Sequence, residues 1–183
     1  MAARFRTWLL VSVVLPHPHV QVGGVIRESR RCETDPPPPM EGFDPASLVA
    51  SASVIVRARA DSSGRSAVPL ALNIHDVVYF TVLEVVDSGG VAIPAHLAVA
   101  GWLSDKADFS PDKVPYRWTR PDGARGSCWA FNYQRGGEFL LLLKGAGTGT
   151  FTPYWAALHP TNMQVRGAKD PWVEWVRAAR RRK

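Results

Sequence analysis

Residues 70–86 read LALNIHDVVYFTVLEVV, and this stretch decides the fold. Val77, Val78, Tyr79, Phe80, Val82, Leu83, Val85 and Val86 are β-branched, aromatic or aliphatic, and helix formers are almost absent. A run of this length, apolar on both faces in its middle, predicts a long curved strand in a closed sheet. Asp87-Ser88-Gly89-Gly90 ends it in a hairpin-type turn, and Ile93 to Leu103 supplies the return strand.

Working outward, Val54, Ile55 and Val56 lead into the alternating Arg57, Ala58 and Arg59, a strand that should stop at the Asp61-Ser62-Ser63-Gly64 turn. Before it, Asp44-Pro45 reads as an N-cap with proline at the first helical position, opening a short helix over Ala46 to Ala52. After residues 104–127, which lack periodicity and form a long excursion, Glu138 to Lys144 reads as a strand. Gly145 to Gly149 reads as a turn, and Phe151 to Ala157 as a short strand. Asp170-Pro171 repeats the cap signal. Trp172, Val173, Trp175 and Val176 then place apolar groups on adjoining faces of a terminal helix. The expected fold is mainly β: a five- to six-stranded closed barrel of OB type with a short N-terminal helix and a C-terminal helix.

The 183 residues suffice for one domain with tails. The formal charge of +6 is local, because Arg177, Arg180, Arg181, Arg182 and Lys183 carry five positive charges in the last seven residues. A basic stripe with interleaved aromatics is missing, so specific nucleic-acid binding is not expected, and residues 178–183 read as a solvated basic tail. Arg4 and Arg6 precede the apolar run Thr7 to Leu15, and Val22-Gly23-Gly24 offers small residues for cleavage after Gly24. This is the layout of a secretory signal over 1–24, so an extracytoplasmic location is expected. The apolar run is too short for a span, which takes about 20 residues. Residues 25–43 form an extended lead-in containing Cys32 and Pro36-Pro37-Pro38-Pro39. In an exported chain the two cysteines, Cys32 and Cys128, favour one disulfide; in a reducing compartment they would be free thiols.

The run GSCWAF at 126–131 resembles the nucleophile segment of papain-like cysteine proteases, which would make Cys128 a thiolate with His159 as its base. That family places a glutamine six residues before the cysteine and a second cysteine three before it; here Asp122 and Arg125 stand there. The expected helix is replaced by Asn132-Tyr133-Gln134-Arg135-Gly136-Gly137 and a strand. Only 55 residues follow Cys128, where the family's base lies roughly 130–150 residues downstream. A cysteine hydrolase is therefore an alternative only, and no catalytic residue is assigned. Trp129, Phe131 and Tyr133 alternate as strand-facing aromatics would.

Other motifs resolve into structure. Lys144-Gly145-Ala146-Gly147-Thr148-Gly149 precedes a strand and not a helix, so no phosphate cradle forms. His17 and His19 lack companion ligands, His75 beside Asp76 reads as a strand-edge pair, and Asp105, Asp108, Asp112 and Asp122 lack calcium-loop spacing. No metal or cofactor is expected.

The order of features resembles the netrin-like, or tissue-inhibitor-of-metalloproteinase-like, OB-fold domain over about residues 32–177. The strands ASASVIVRARA (50–60) and VVYFTVLEVV (77–86) carry the likeness, followed by GSCWAFNYQRGGEFLLLLKG (126–145). Within the last, the pattern is Cys128, Tyr133, Gly136, Glu138, Phe139, Leu140, Leu141 and Leu143. The closing TPYWAALHPTNMQVRGAKDPWVEWVR is similar to the ends of bacterial exported proteins that carry this domain. The resemblance implies a domain over 44–177 and a disulfide between Cys32 and Cys128. It also implies a non-enzymatic, monomeric binding module for a protein or surface ligand. In the inhibitors the first cysteine is the mature N-terminus and chelates the protease zinc. Here Thr34 replaces the second cysteine of Cys-x-Cys, and Arg31 is a poor residue before a cleavage site, so inhibition through Cys32 is a second alternative. By analogy with OB barrels, Tyr116 and Trp118 in the 104–127 excursion are the expected contact surface.

Overall fold

The computed structural model describes residues 45–70, 74–109, 114, 120–121, 129–146, 150–153, 155–156, 159–160 and 162–182. Pro45 opens α1 (Pro45–Ser51), its fixed φ suiting the first helical position. Seven residues cannot hold a helix alone, so α1 depends on burying Leu48 and Val49.

Strands β1 (Val54–Arg65) and β2 (Asp76–Asp87) form a long antiparallel pair. The turn expected at 61–64 is absent: Ser62 pairs with Tyr79, Ser63 with Val78 and Gly64 with Val77. Weak local strand propensity gives way because β2 runs opposite these residues for its full length. The register shifts between Ile55 and Val56, between Arg57 and Ala58, and between Ala60 and Ser62. Irregularities of this kind bend and twist a pair.

The return strand is broken in two, β3 (His96–Ala100) and β4 (Trp102–Ser104). The break is Gly101, whose φ of 145° is open to glycine alone, and a Cβ there would stand 2.3 Å from the Phe131 carbonyl oxygen. The chain thereby leaves the main sheet, and β4 pairs in parallel with β5 (Asn132–Gln134). Trp129 to Phe131 form a 3-10 turn and not the strand their alternation implied. Phe131 and Tyr133 are both fully buried.

Strand β6 (Glu138–Ala146) runs antiparallel to β1, with Val54 opposite Leu143 and Arg59 opposite Glu138. Its other edge takes β7 (Thr150–Pro153) along Leu143–Ala146 and β10 (Asn162–Val165) along Glu138–Leu141. Between these lie the short β8 (Trp155–Ala156) and β9 (His159–Pro160). Among the described residues the main path is five antiparallel strands in the order β10-β6-β1-β2-β3. Cα atoms of β3 and β7 come within 8 Å, with no ladder between these strands.

Alternation divides the apolar residues between two layers. One face of the sheet carries Val54, Val56, Ala58 and Ala60 of β1, with Phe80, Val99, Phe139, Leu141 and Leu143 from its neighbours. Tyr133 joins them, and the Phe80, Tyr133 and Phe139 rings meet edge to face with centroids 5.1 to 6.0 Å apart. The opposite face carries Ile55, Leu140, Leu142, Met163 and Val165, covered by α1 and by α2 (Pro171–Arg181) through Trp172, Val173 and Val176. As the sequence implied, the Asp170 side chain accepts from the Trp172 amide and Pro171 takes the first turn. The helix runs on to Arg181, so the stretch read as a tail from residue 178 begins as structure. Among the described residues no helix is long and apolar enough to cross a membrane.

Candidate functional site

Cys32, Cys128, Tyr116 and Trp118 lie outside the described residues, as do His17, His19, Asp112 and Asp122. His159 falls in β9. His75 does not pair with Asp76: its Nδ1 lies 3.2 Å from the Ser66 carbonyl oxygen, and Asp76 accepts from the indole N–H of Trp102 at 2.9 Å. Among the described residues no group of His, Cys, Asp and Glu could hold a metal ion.

Among the described residues, two polar constellations and one open surface bear on the site. The first constellation is sealed inside. Arg120, fully buried, donates to the carbonyl oxygens of Ala130 and Asn132 (2.5 Å for Asn132). Its guanidinium carbon sits 5.3 Å from the Tyr133 ring centroid and 5.5 Å from that of Phe139, with Asp108 3.7 Å away. Beside it, Asn162 donates to the Tyr133 hydroxyl at 2.9 Å, and Gln164 accepts from the Asp108 amide at 2.6 Å while donating to Gln134. Burial pushes the Tyr133 phenol far above its ordinary range, only partly opposed by the charge on Arg120. These bonds pin Asp108 to β10 and Arg120 to the 3-10 turn and β5.

The second constellation fixes α2. Glu84 accepts from Arg57 at 3.1 Å and from Arg177, and Arg57 also reaches Glu138 at 2.5 Å. Burial pushes the Glu84 carboxyl up, but hydrogen bonds from Arg177 and Arg57 outweigh it and hold the group below the usual carboxylate range. These charges are partnered among β1, β2, β6 and α2.

The open surface begins where α2 ends its cover. Arg59 stands opposite Thr81, and Thr81 opposite His96, so β1, β2 and β3 present the three side chains in one row. Asp61, at a register shift, turns into the row: Oδ1 accepts from Arg59 Nε at 2.7 Å and Oδ2 from Thr81 Oγ1 at 2.5 Å. The Thr81 oxygen lies 3.3 Å from His96 Nδ1. With its one proton committed to Asp61, Thr81 accepts from Nδ1–H, and the neutral tautomer that donates there carries its acceptor at Nε2. Burial raises the Asp61 carboxyl, yet hydrogen bonds from Thr81 and Arg59 bring it below its ordinary value. Two residues along the same face of β2, Tyr79 is 42% exposed. Gly64 permits this pose, because a Cβ there would meet the Tyr79 ring at 2.8 Å, and Ala98 opposite leaves the other flank low.

This surface escaped the sequence reading, which placed contacts in the excursion. The signal was present: with Val78, Phe80 and Val82 turned inward, Tyr79 and Thr81 must turn outward. No protein-family model matches the chain, and no curated protein is significantly similar to it.

Proposed function

We propose that the chain is a non-enzymatic, exported binding module built on an OB-type barrel of netrin-like kind, and that it binds through the open face of β1, β2 and β3. The observation that carries the reading is the row Arg59, Asp61, Thr81 and His96 beside exposed Tyr79, held rigid by hydrogen bonds and uncovered by either helix. Preorganised polar groups next to an aromatic ring bind without losing side-chain freedom. Barrel closure is supported by the approach of β3 to β7 and by the irregular, bent β1/β2 pair. On this reading Cys32 and Cys128 form a disulfide that ties the lead-in to the barrel, and the module works as a monomer.

A photo-crosslinking residue placed at Tyr79 in the protein produced by its native host tests the face. A ligand captured from position 79 and not from position 144 on β6 is the expected result; capture from position 144 alone overturns it. Intact mass of the exported protein, with and without reduction, should show a two-proton difference and a start after the signal.

A further inference from the structure

Granted that this face binds, its chemistry specifies the ligand, and we infer that it takes an uncharged saccharide. Charge does not favour a polyanion at this face. The ion pairs along the face and its border join Arg57, Arg59 and Arg177 to Asp61, Glu84 and Glu138, three of each sign. These pairs add no net charge with which to gather phosphate or sulfate groups.

What it offers instead are donors and acceptors in alternation. Arg59 spends Nε on Asp61, and its terminal nitrogens are donors with no partner among the described residues. The Asp61 carboxylate retains lone pairs, and His96 Nε2 accepts in the neutral ring. Neighbouring hydroxyls of a pyranose both donate and accept, so they match such a row better than a carboxylate or phosphate, which only accepts. Tyr79 supplies the second half of the recognition. Its ring reaches over Gly64 and is bordered by Ala98, so an aromatic surface lies beside the polar row. The C–H face of a sugar ring packs on an aromatic of this kind while its hydroxyls turn to the side. An apolar peptide would leave Asp61 and Arg59 facing carbon, at a desolvation cost.

The test is amide chemical-shift mapping of the full chain titrated separately with cellohexaose, chitohexaose, xylohexaose and maltohexaose, and with a heparin hexasaccharide as the charged probe. At least one neutral hexasaccharide should shift the amides of Asp61, Tyr79, Thr81 and His96 saturably. Tyr79→Ala should weaken that titration about tenfold and Tyr79→Phe by no more than about twofold. Ala98→Arg, which fills the low flank beside the ring and leaves Tyr79 and the row residues themselves in place, should also abolish it, and each variant's own spectrum reports that it is folded. If no neutral sugar moves these amides, or if only the heparin probe does, the saccharide assignment is overturned. The binding face itself would still stand wherever crosslinking at position 79 captured a protein, and it falls with the crosslinking result and not with this one.

Discussion

Arg180 on α2 lies 3.0 Å from the carboxylate of Asp87 at the end of β2, and the same guanidinium donates to the carbonyl oxygens of Ala50 and Ala52. One side chain thus joins the last helix, the second strand and the C-terminal end of the first helix. The carbonyls at a helix end have no partner within the helix, and α1 has no basic residue of its own in its last turn. The seven-residue α1 borrows its C-terminal cap from the other end of the chain.

Replacing Arg180 by alanine should therefore cost about 1–3 kcal/mol, the range for losing a charged hydrogen-bond partner that is mostly buried. The loss should concentrate in α1. Hydrogen exchange at Leu48 and Val49 should accelerate more than at Leu141 in β6, while a uniform acceleration would show that Arg180 serves only global stability. Arg180→Lys should recover part of the loss, because a single ammonium cannot span Asp87 and two carbonyls as a planar fork does.

Glu84 gives the pH dependence its sign. Its folded-state pKa is depressed, since hydrogen bonds from Arg177 and Arg57 outweigh the effect of burial. The stability it contributes is complete above the unfolded glutamate value of about 4.3 and is lost as pH falls through the lower folded value. Asp61 shifts in the same direction, burial again being outweighed by Thr81 and Arg59. Urea midpoints should show Glu84→Gln less stable than wild type at neutral pH, with the gap closing as pH drops below about 4. A gap that stayed constant with pH would mean that the Arg57–Glu84–Arg177 network acts through packing alone.

Gly101 should tolerate no side chain. Its φ of 145° is strained for any other residue, and an alanine Cβ would stand 2.3 Å from the Phe131 carbonyl oxygen and 2.6 Å from the Tyr133 ring. Because one obstruction is backbone, relief requires moving β4 away from β5, and a cost above about 3 kcal/mol is expected. Thermal denaturation of Gly101→Ala measures it. Gly136, where a Cβ would meet nothing within 4 Å, is the control: φ there is also positive at 71°, so Gly136→Ala isolates backbone strain from collision and should cost less.

The sequence made the sheet legible where one pattern governed one element. Val77 to Val86 could be little but a strand, and Asp170-Pro171 announced α2 through local geometry that needs no tertiary partner. Legibility failed where a distant element decides. Asp61 to Gly64 have turn chemistry, yet the pairing of Ser62, Ser63 and Gly64 with Tyr79, Val78 and Val77 keeps the chain extended. Gly101 gives no sign that its carbonyl neighbour will be Phe131. The open face divides in the same way. Tyr79 and Thr81 follow from alternation around Phe80, but the meeting of Asp61 with Thr81 needs the β1 register shift, which no single strand encodes.

Arg120 is the residue the sequence hid most completely and the one whose loss should be most damaging. It sits in a stretch without periodicity, yet it is fully buried, with its guanidinium against both the Tyr133 and Phe139 rings and hydrogen-bonded to Ala130 and Asn132. Arg120→Met keeps most of the volume and removes the donors and the charge 3.7 Å from Asp108. Breaking a buried pair on one side costs about 3–5 kcal/mol, because the other charge stays in a dry site. Converting both partners, Arg120→Met with Asp108→Asn, should therefore be less destabilised than the sum of the single changes. The coupling should be about 1–3 kcal/mol in a double-mutant cycle read by urea denaturation. Additive losses would show that Arg120 acts through its carbonyl and ring contacts, with Asp108 a bystander. Tyr133→Phe separates the neighbouring hydrogen bond: it leaves the Asn162 amide without its 2.9 Å acceptor inside the core and should cost about 1–3 kcal/mol on its own.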